Sequence, residues 1–404
     1  MKITKIEAFR VFPRAVRAVS TDAISKGESA ITPVICRIYT DSGLYGDGEA
    51  AMAFNCGAAT VSCMIAELGR KILGMDPLQN EVIWEKLMKN AFWTQNGGVV
   101  TSAAMSAIDN ACWDIRGKHF NAPVHLLLGG KRRSVLRAYA SQLQFGWAEN
   151  RGNAFTPVDF ARNARAAVDE GYDAIKVNFF THDEDGSNFS EDDRTGTLTP
   201  AFLNKIEARV RAVRDAVGPD VELIVENHAM TDPQSVVQFA RMIEKYNVSF
   251  MEEACYPDPA ITKYIADHIS IPLAGGERVY TRFGFAPYLR DGSLRLLQPD
   301  VGNSGGITEV RKICDAAYTY GVSVQIHTAG TPIETYAALH LEAVIPNFTI
   351  HENLVWSLYD EYQELAKYPV ELRGGTVIVP DRPGLGNELS EYALSHSDVI
   401  TVEA

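Results

Sequence analysis

Six residues able to bind a metal or carry a proton recur through the second half of the chain: Glu226, Glu252, Glu277, Asp300, His327 and Glu352. The gaps between them are 26, 25, 23, 27 and 25 residues. One strand, one helix and two short loops use about that much chain. Each residue closes a short apolar, β-rich run, as in ELIVE, SFME and VSVQIH. A single polar residue at a strand end usually just begins a loop. Six in register instead predict a shared structural level at the C-terminal face of a strand–helix repeat, where catalytic groups converge.

Glu226, Glu252 and Glu277 come from successive runs, with no cysteine beside them in a ligand pattern. Three carboxylates form a hard oxygen site that favours Mg²⁺. The competing reading is that one of them pairs with Arg278 or Lys176, since a buried charge must find a partner. Glu253 follows Glu252 directly, and either is free to face inward. Asp300 one repeat before His327 suits a general base, because a carboxylate behind an imidazole fixes its tautomer. In VENHAM (225–230), Glu226 and His228 are two apart, so strand alternation puts them on one face and turns Asn227 away from the metal. Lys176 and Asn178 share a face in the same way. Lys176 suits a substrate carboxylate or, alternatively, an ion pair with Glu226, and Asn178 suits a hydrogen bond to substrate. His340 lies inside a helical pattern and reads as structural.

These residues need a scaffold, and the chain supplies one. Residues 33–50 read as a hairpin around Asp-Ser-Gly. Segments 57–74, 80–93 and 101–120 carry helical spacing, with Thr101 suited to an N-cap. From about residue 135, eight β-rich runs alternate with amphipathic helices, which predicts parallel strands closing into a barrel. The expected domains are an α+β capping domain (1–130), a barrel (131–356) and a C-terminal segment (357–404) returning to the cap. Residues 181–199 form an acidic loop, read as a lid or an oligomer contact. Residues 14–28 read as a capping loop over the site.

The 404 residues are 46% hydrophobic, enough for a large core and two domains. A net charge of −13 argues against nucleic acid or an anionic membrane as partner. An anionic substrate would need local positive charge, which a bound cation would supply. There is no run of about 20 apolar residues to span a membrane, and no signal-peptide h-region at the start. Six cysteines without a C-x-x-C pair read as reduced, buried thiols of a cytoplasmic protein.

Several motifs together resemble the enolase superfamily in its mandelate racemase-like subgroup: GLYGDGEA, AMSAIDNACWDIRGK, LLLGG, MEEA, LAGGER, LQPDVGNSGGITE and PGLGNEL. The resemblance runs over nearly the whole chain. It implies a (β/α)7β modified TIM barrel beneath an α+β capping domain built from both termini, and Mg²⁺ on three strand-end acids. It further implies proton abstraction α to a carboxylate. Within the subgroup the chain is similar to acid-sugar dehydratases of the galactonate branch. Lys176 and Asn178 match the second-strand motif, Glu226 and His228 the third, Asp300 and His327 the dyad, and Glu352 the last strand's acid. It departs from that branch in Glu226, where the branch has Asp, and in His327-Thr-Ala-Gly. The 181–199 loop and VIPNFTIHEN lean towards mannonate dehydratases.

The implied reaction is loss of water from a sugar acid. His327, oriented by Asp300, takes the C2 proton; His228 protonates the departing 3-hydroxyl; Glu352 hydrogen-bonds the intermediate, as a carboxylate or a protonated carboxyl. The expected partner is a small sugar acid, and the expected assembly a homo-oligomer. Alternatives on the same scaffold are an epimerase, racemase or cycloisomerase, and an acid-sugar binder of low activity.

Overall fold

The computed structural model describes residues 1–13, 31–52, 56–90, 92–95 and 97–403. The expected capping loop at 14–28 lies outside them. At the N-terminus, β1 (Ile3–Val11), β2 (Val34–Thr40) and β3 (Tyr45–Ala50) form an antiparallel sheet. The β2–β3 turn falls at the Asp-Ser-Gly signal, with Gly43 at φ 84° and Thr40 N–H donating to Leu44 O at 3.0 Å.

Helices α1 (Ala58–Arg70), α2 (Asn80–Asn90) and α3 (Val99–His119) pack on this sheet. The N-cap expected at Thr101 is not there: α3 begins two residues earlier, behind Gly98, and no side chain caps it. Most of α3 is buried because it is packed on both sides. Its small residues let β3 approach closely; a Cβ on Gly48 would lie 2.2 Å from Ala107 O. On its other side, Asp109 and Asn110 accept the backbone N–H groups of Thr308 and Ile307 at 2.8 and 3.0 Å. That side therefore docks on the barrel.

The barrel strands are β4 (Val135–Ser141), β5 (Ala174–Asn178), β6 (Glu222–Glu226), β7 (Val248–Glu252), β8 (Leu273–Gly275), β9 (Leu296–Leu297), β10 (Ser323–Val324) and β11 (His351–Leu354). Neighbours in this order pair in parallel up to β10, and β11 pairs with β4. A parallel bridge between Val324 and Phe348 brings β10 beside the segment leading into β11, which closes the ring. The structure is thus the modified TIM barrel with a separate antiparallel cap. The C-terminal segment contacts both parts. β12 (Thr376–Ile378) pairs with β4, and β13 (Ser397–Glu403) pairs with β1.

Inside the barrel, Tyr139, Ala174, Ile224, Phe250, Ala274, Leu296 and Ile350 form one buried cluster. Burying a large apolar side chain of this kind contributes about 1.5–3 kcal/mol. These residues plug the lower barrel. Two positions further along each strand, on the same face, stand Ser141, Lys176, Glu226, Glu252, Gly276, Gln298 and Glu352. A polar layer therefore rests on an apolar one.

All six cysteines are free. Cys36, Cys112, Cys255 and Cys314 are buried as expected, but Cys56 and Cys63 are exposed, on the capping side. Among the described residues no helix is long and apolar enough to cross a membrane.

Candidate active site

The six recurring residues occupy two levels rather than one. Glu226, Glu252 and Glu352 belong to the polar layer on the barrel floor. Glu277, His327 and, behind it, Asp300 form the wall of the cavity above. Barrel strands are tilted and staggered, so equal spacing along the chain does not mean equal height.

Lys176 is the hub of the floor. Its side chain is 1% exposed, and its Nζ lies 2.9 Å from Glu226 Oε2, 2.8 Å from Glu352 Oε1 and in close contact with Glu252. This is the ion-pair arrangement weighed from the sequence, and it includes three carboxylates instead of one. Ser141 donates to Glu352 at 2.7 Å, and Gln298 donates to Glu252 Oε2 at 2.6 Å. Asn178 is also buried, its Oδ1 accepting from Phe180 N–H at 2.9 Å. Lys176, Asn178 and Glu352 thus lie beneath the cavity floor.

The choice between Glu252 and Glu253 is decided by the backbone. Glu252 closes β7 and points into the barrel. Glu253 adopts φ 48°, which turns it sideways to accept from Arg278 Nε at 2.8 Å and Gly276 N–H at 2.9 Å.

His228 reaches the site by a different route from the expected one. β6 ends at Glu226, so strand alternation does not extend to residue 228. His228 and Ala229 both take φ 52°, in the left-handed region, and this turn returns the imidazole to 3.3 Å from Glu226 Oε1. Asn227 points away from the site, with its Nδ2 donating to Thr231 at 3.1 Å.

On the wall, His327 Nδ1 is 2.7 Å from Asp300 Oδ2, and its Nε2 is 3.1 Å from Glu277 Oε2 and 4.0 Å from Glu352. Burial opposes charge on His327, but Glu277, the Asp300 hydrogen bond and Glu352 raise its proton affinity above the ordinary value. Burial lowers that of His228. Burial also raises Glu226 and Glu252, despite Lys176. Burial works the same way on Glu352, yet Lys176 and His327 hold it well below the usual range. Of the two forms expected for Glu352, Lys176 and His327 favour the charged carboxylate.

The cavity above holds about 520 Å³ and is lined by His228, Glu277 and His327 together with Arg278, Tyr280 and Trp356, among others. Thr181, at the start of the 181–199 loop, reaches its lining. Sequence reasoning missed Gln298, although it stands two before Asp300 and so shares its face. It also missed Tyr280 and Trp356, for which the pattern held no signal.

The metal question turns on the donors. Among the described residues no three acids or imidazoles stand together at metal-holding distances. Both Glu226 oxygens, however, are buried, with no partner among these residues beyond the ion-pair contacts of Lys176 and His228. Glu226, Glu252 and Glu277 each bear on another's charge, and one lysine faces three floor carboxylates. An all-oxygen donor set short of positive charge fits a hard divalent cation.

Comparison with known proteins agrees with this architecture. Residues 159–393 match the family described as "Enolase C-terminal domain-like". Residues 5–129 match "Mandelate racemase / muconate lactonizing enzyme, N-terminal domain". The chain belongs to the enolase superfamily, in its mandelate racemase and muconate lactonizing enzyme branch. More particularly, it is 30% identical to a D-galactonate dehydratase of Ralstonia pickettii (strain 12J), over 97% of this chain and 93% of that protein. It is 31% identical to a D-gluconate dehydratase of Thermoproteus tenax, over 89% of this chain and 69% of that one. A crystal structure of an enolase-superfamily member from Salmonella Typhimurium superposes with TM-score 0.94 at 44% identity, covering all of both chains. The 3,6-anhydro-D-galactonate cycloisomerase of Zobellia galactanivorans superposes with TM-score 0.81 at 27% identity, over 98% of this chain and all of that one.

Proposed function

We propose that the protein is a sugar-acid dehydratase that removes the C2 proton and the 3-hydroxyl of an aldonate to give a 2-keto-3-deoxy acid. The observation that carries this reading is the His327–Asp300 pair on a cavity that His228 also lines. It supplies one oriented base and one separate acid. The dehydratases among its relatives support the reaction class.

In the neutral ring Asp300 holds the Nδ1 proton of His327, so that Nε2 is the atom that accepts the C2 proton. His228, in the charged form that Glu277, Glu252 and Glu253 favour against burial, protonates the departing hydroxyl. Glu226, Glu252 and Glu277 would hold Mg²⁺, which when bound supplies a Lewis acid and positive charge beside the substrate carboxylate. Lys176 balances the floor carboxylates, and Glu352, charged and close to His327, stabilises the imidazolium after proton transfer. The enol left by elimination tautomerises to the ketone.

The test is a panel of aldonic and aldaric acids with Mg²⁺, beginning with D-galactonate and D-gluconate, scored for 2-keto-3-deoxy product. A panel in which nothing reacts, and nothing raises the melting temperature, would sink the proposal. Deuterium entering C2 from D2O without loss of water would instead favour an epimerase or cycloisomerase, as in the Zobellia relative.

A further inference from the structure

Residues 331–334, Thr-Pro-Ile-Glu, open the helix Pro332–Val344 with the pattern of a capping box. Thr331 Oγ1 caps the helix by accepting the Ile333 N–H at 3.2 Å, but neither bond of the box itself forms. The Thr331 N–H goes instead to Glu49, 2.9 and 3.0 Å from its two oxygens. Glu49 also accepts from the Thr331 hydroxyl at 2.5 Å and from Glu334 N–H at 3.3 Å. It comes from β3 of the cap, so a carboxylate from one domain occupies the helix N-terminus of the other, where negative charge is favoured.

Displaced from that place, the Glu334 side chain turns towards Asp300, its Oε1 packing beside Gly302, whose N–H donates to Asp300. The residue is fully buried, and apart from the Gly330 N–H no donor among the described residues faces its carboxyl oxygens. Two glycines make the room. A Cβ on Gly302 would sit 2.9 Å from Glu334 Oε1, and one on Gly330 would collide with Oε2. The titratable groups that face it are Asp300 from the end of β9, Glu49 from the cap and Tyr362 from the C-terminal segment. Asp300 is already engaged as an acceptor, from His327 Nδ1 through Oδ2 and from Gly302 N–H at 2.7 Å through Oδ1. Two carboxyl groups in contact need one proton between them, and these bonds place it on Glu334. Burial, with Asp300 and Glu49 adding to it, raises Glu334 well above the usual carboxyl range.

We propose that Glu334 is a neutral carboxylic acid whose O–H donates to Asp300, a positioning residue that holds the Asp300 carboxylate against His327, with Glu49 locking it in place from the capping domain. The proton stays on Glu334 throughout. Its effect on turnover rests on the reading of Asp300 and His327 as the base pair.

Two measurements on the full chain test this separately. Infrared difference spectra of wild type against Glu334→Gln, near neutral pH, should show one protonated-carboxyl C=O band lost in the variant and shifted in D2O. If no such band disappears, the neutral acid is excluded, whether or not any substrate is known. In turnover of the sugar acid found by the panel, Glu334→Leu should lower kcat by about 10- to 100-fold with KM unchanged, as loss of an orienting partner does. Glu334→Gln keeps an N–H donor and should retain most activity. Equal losses in both variants, or a loss carried by KM, would overturn the positioning role. Failure of the whole panel would sink the dehydratase reading and leave the infrared result standing.

Discussion

The floor and the wall of the cavity are built from the same residue types and behave differently. On the floor, Lys176 ties together Glu226, Glu252 and Glu352 out of contact with solvent. On the wall, Glu277 and His327 remain partly exposed, and Asp300 supports them from behind. A buried charge cluster is sensitive to removal of any one member, because the others are left uncompensated. Groups on a cavity wall can change protonation, since solvent and substrate reach them. The difference supports the proposed division, with charge balance on the floor and proton transfer on the wall.

That division can be broken from either side. Asp300→Asn should have the largest effect, cutting kcat by about 10²- to 10⁴-fold, the usual share of a general base. Mg²⁺ affinity and melting temperature should be nearly unchanged; a variant that turns over normally would remove the dyad from the mechanism. On the floor, Lys176→Met should destabilise the fold by about 3–5 kcal/mol, because three buried carboxylates lose their cation. Urea unfolding measures this, and excess Mg²⁺ should restore part of it. No recovery with Mg²⁺ would argue against a cation on these acids. Ser141→Ala removes a single hydrogen bond to Glu352 and should cost about 1.5–3 kcal/mol, with Lys176 still in place.

The smallest effect, per pH unit, comes from a histidine outside both regions. His340 is fully buried, accepting from His125 N–H at 3.2 Å and facing Leu385 O at 3.0 Å. Burial lowers it to about 3 from an ordinary value of 6.5. Above pH 6.5 it is neutral in folded and unfolded chains alike, and its contribution to stability is complete. As pH falls below that value the unfolded chain binds a proton that the native one refuses. Stability should then fall by about 1.4 kcal/mol per pH unit until the folded value is reached. Urea midpoints for wild type and His340→Gln across that window should differ in slope by one proton; parallel slopes would show that this histidine is not the source.

Much of the site was legible because strand–helix repetition leaves a periodic trace. The spacing of Glu226, Glu252, Glu277, Asp300, His327 and Glu352 placed all of them at one end of a barrel, and the structure has them there. Periodicity along the chain carries no height, however, and the tilt of the strands separated floor from wall. His228 was expected in the site for the wrong reason: a left-handed turn brings it in, and two consecutive positive φ values at His228-Ala229 leave no residue signature. Thr101 looked like a cap, but helix α3 is held by packing on both sides and starts without one. The Thr331–Glu334 pattern reads as an ordinary capping box until Glu49, nearly three hundred residues earlier, is seen to accept the N–H groups of both its ends.

Taken alone, then, the sequence determined the barrel and its cap, the acids and the imidazoles at the barrel mouth, and the pairing of His327 with Asp300. Those follow from local periodicity and from residues on neighbouring strands. Only the tertiary structure decided that Lys176 is a buried counter-charge, that Glu252 and not Glu253 faces inward, and that Glu334 touches Asp300. Each of these depends on side chains meeting across strands or domains, where direction and protonation are set by what surrounds a residue rather than by its neighbours in the chain.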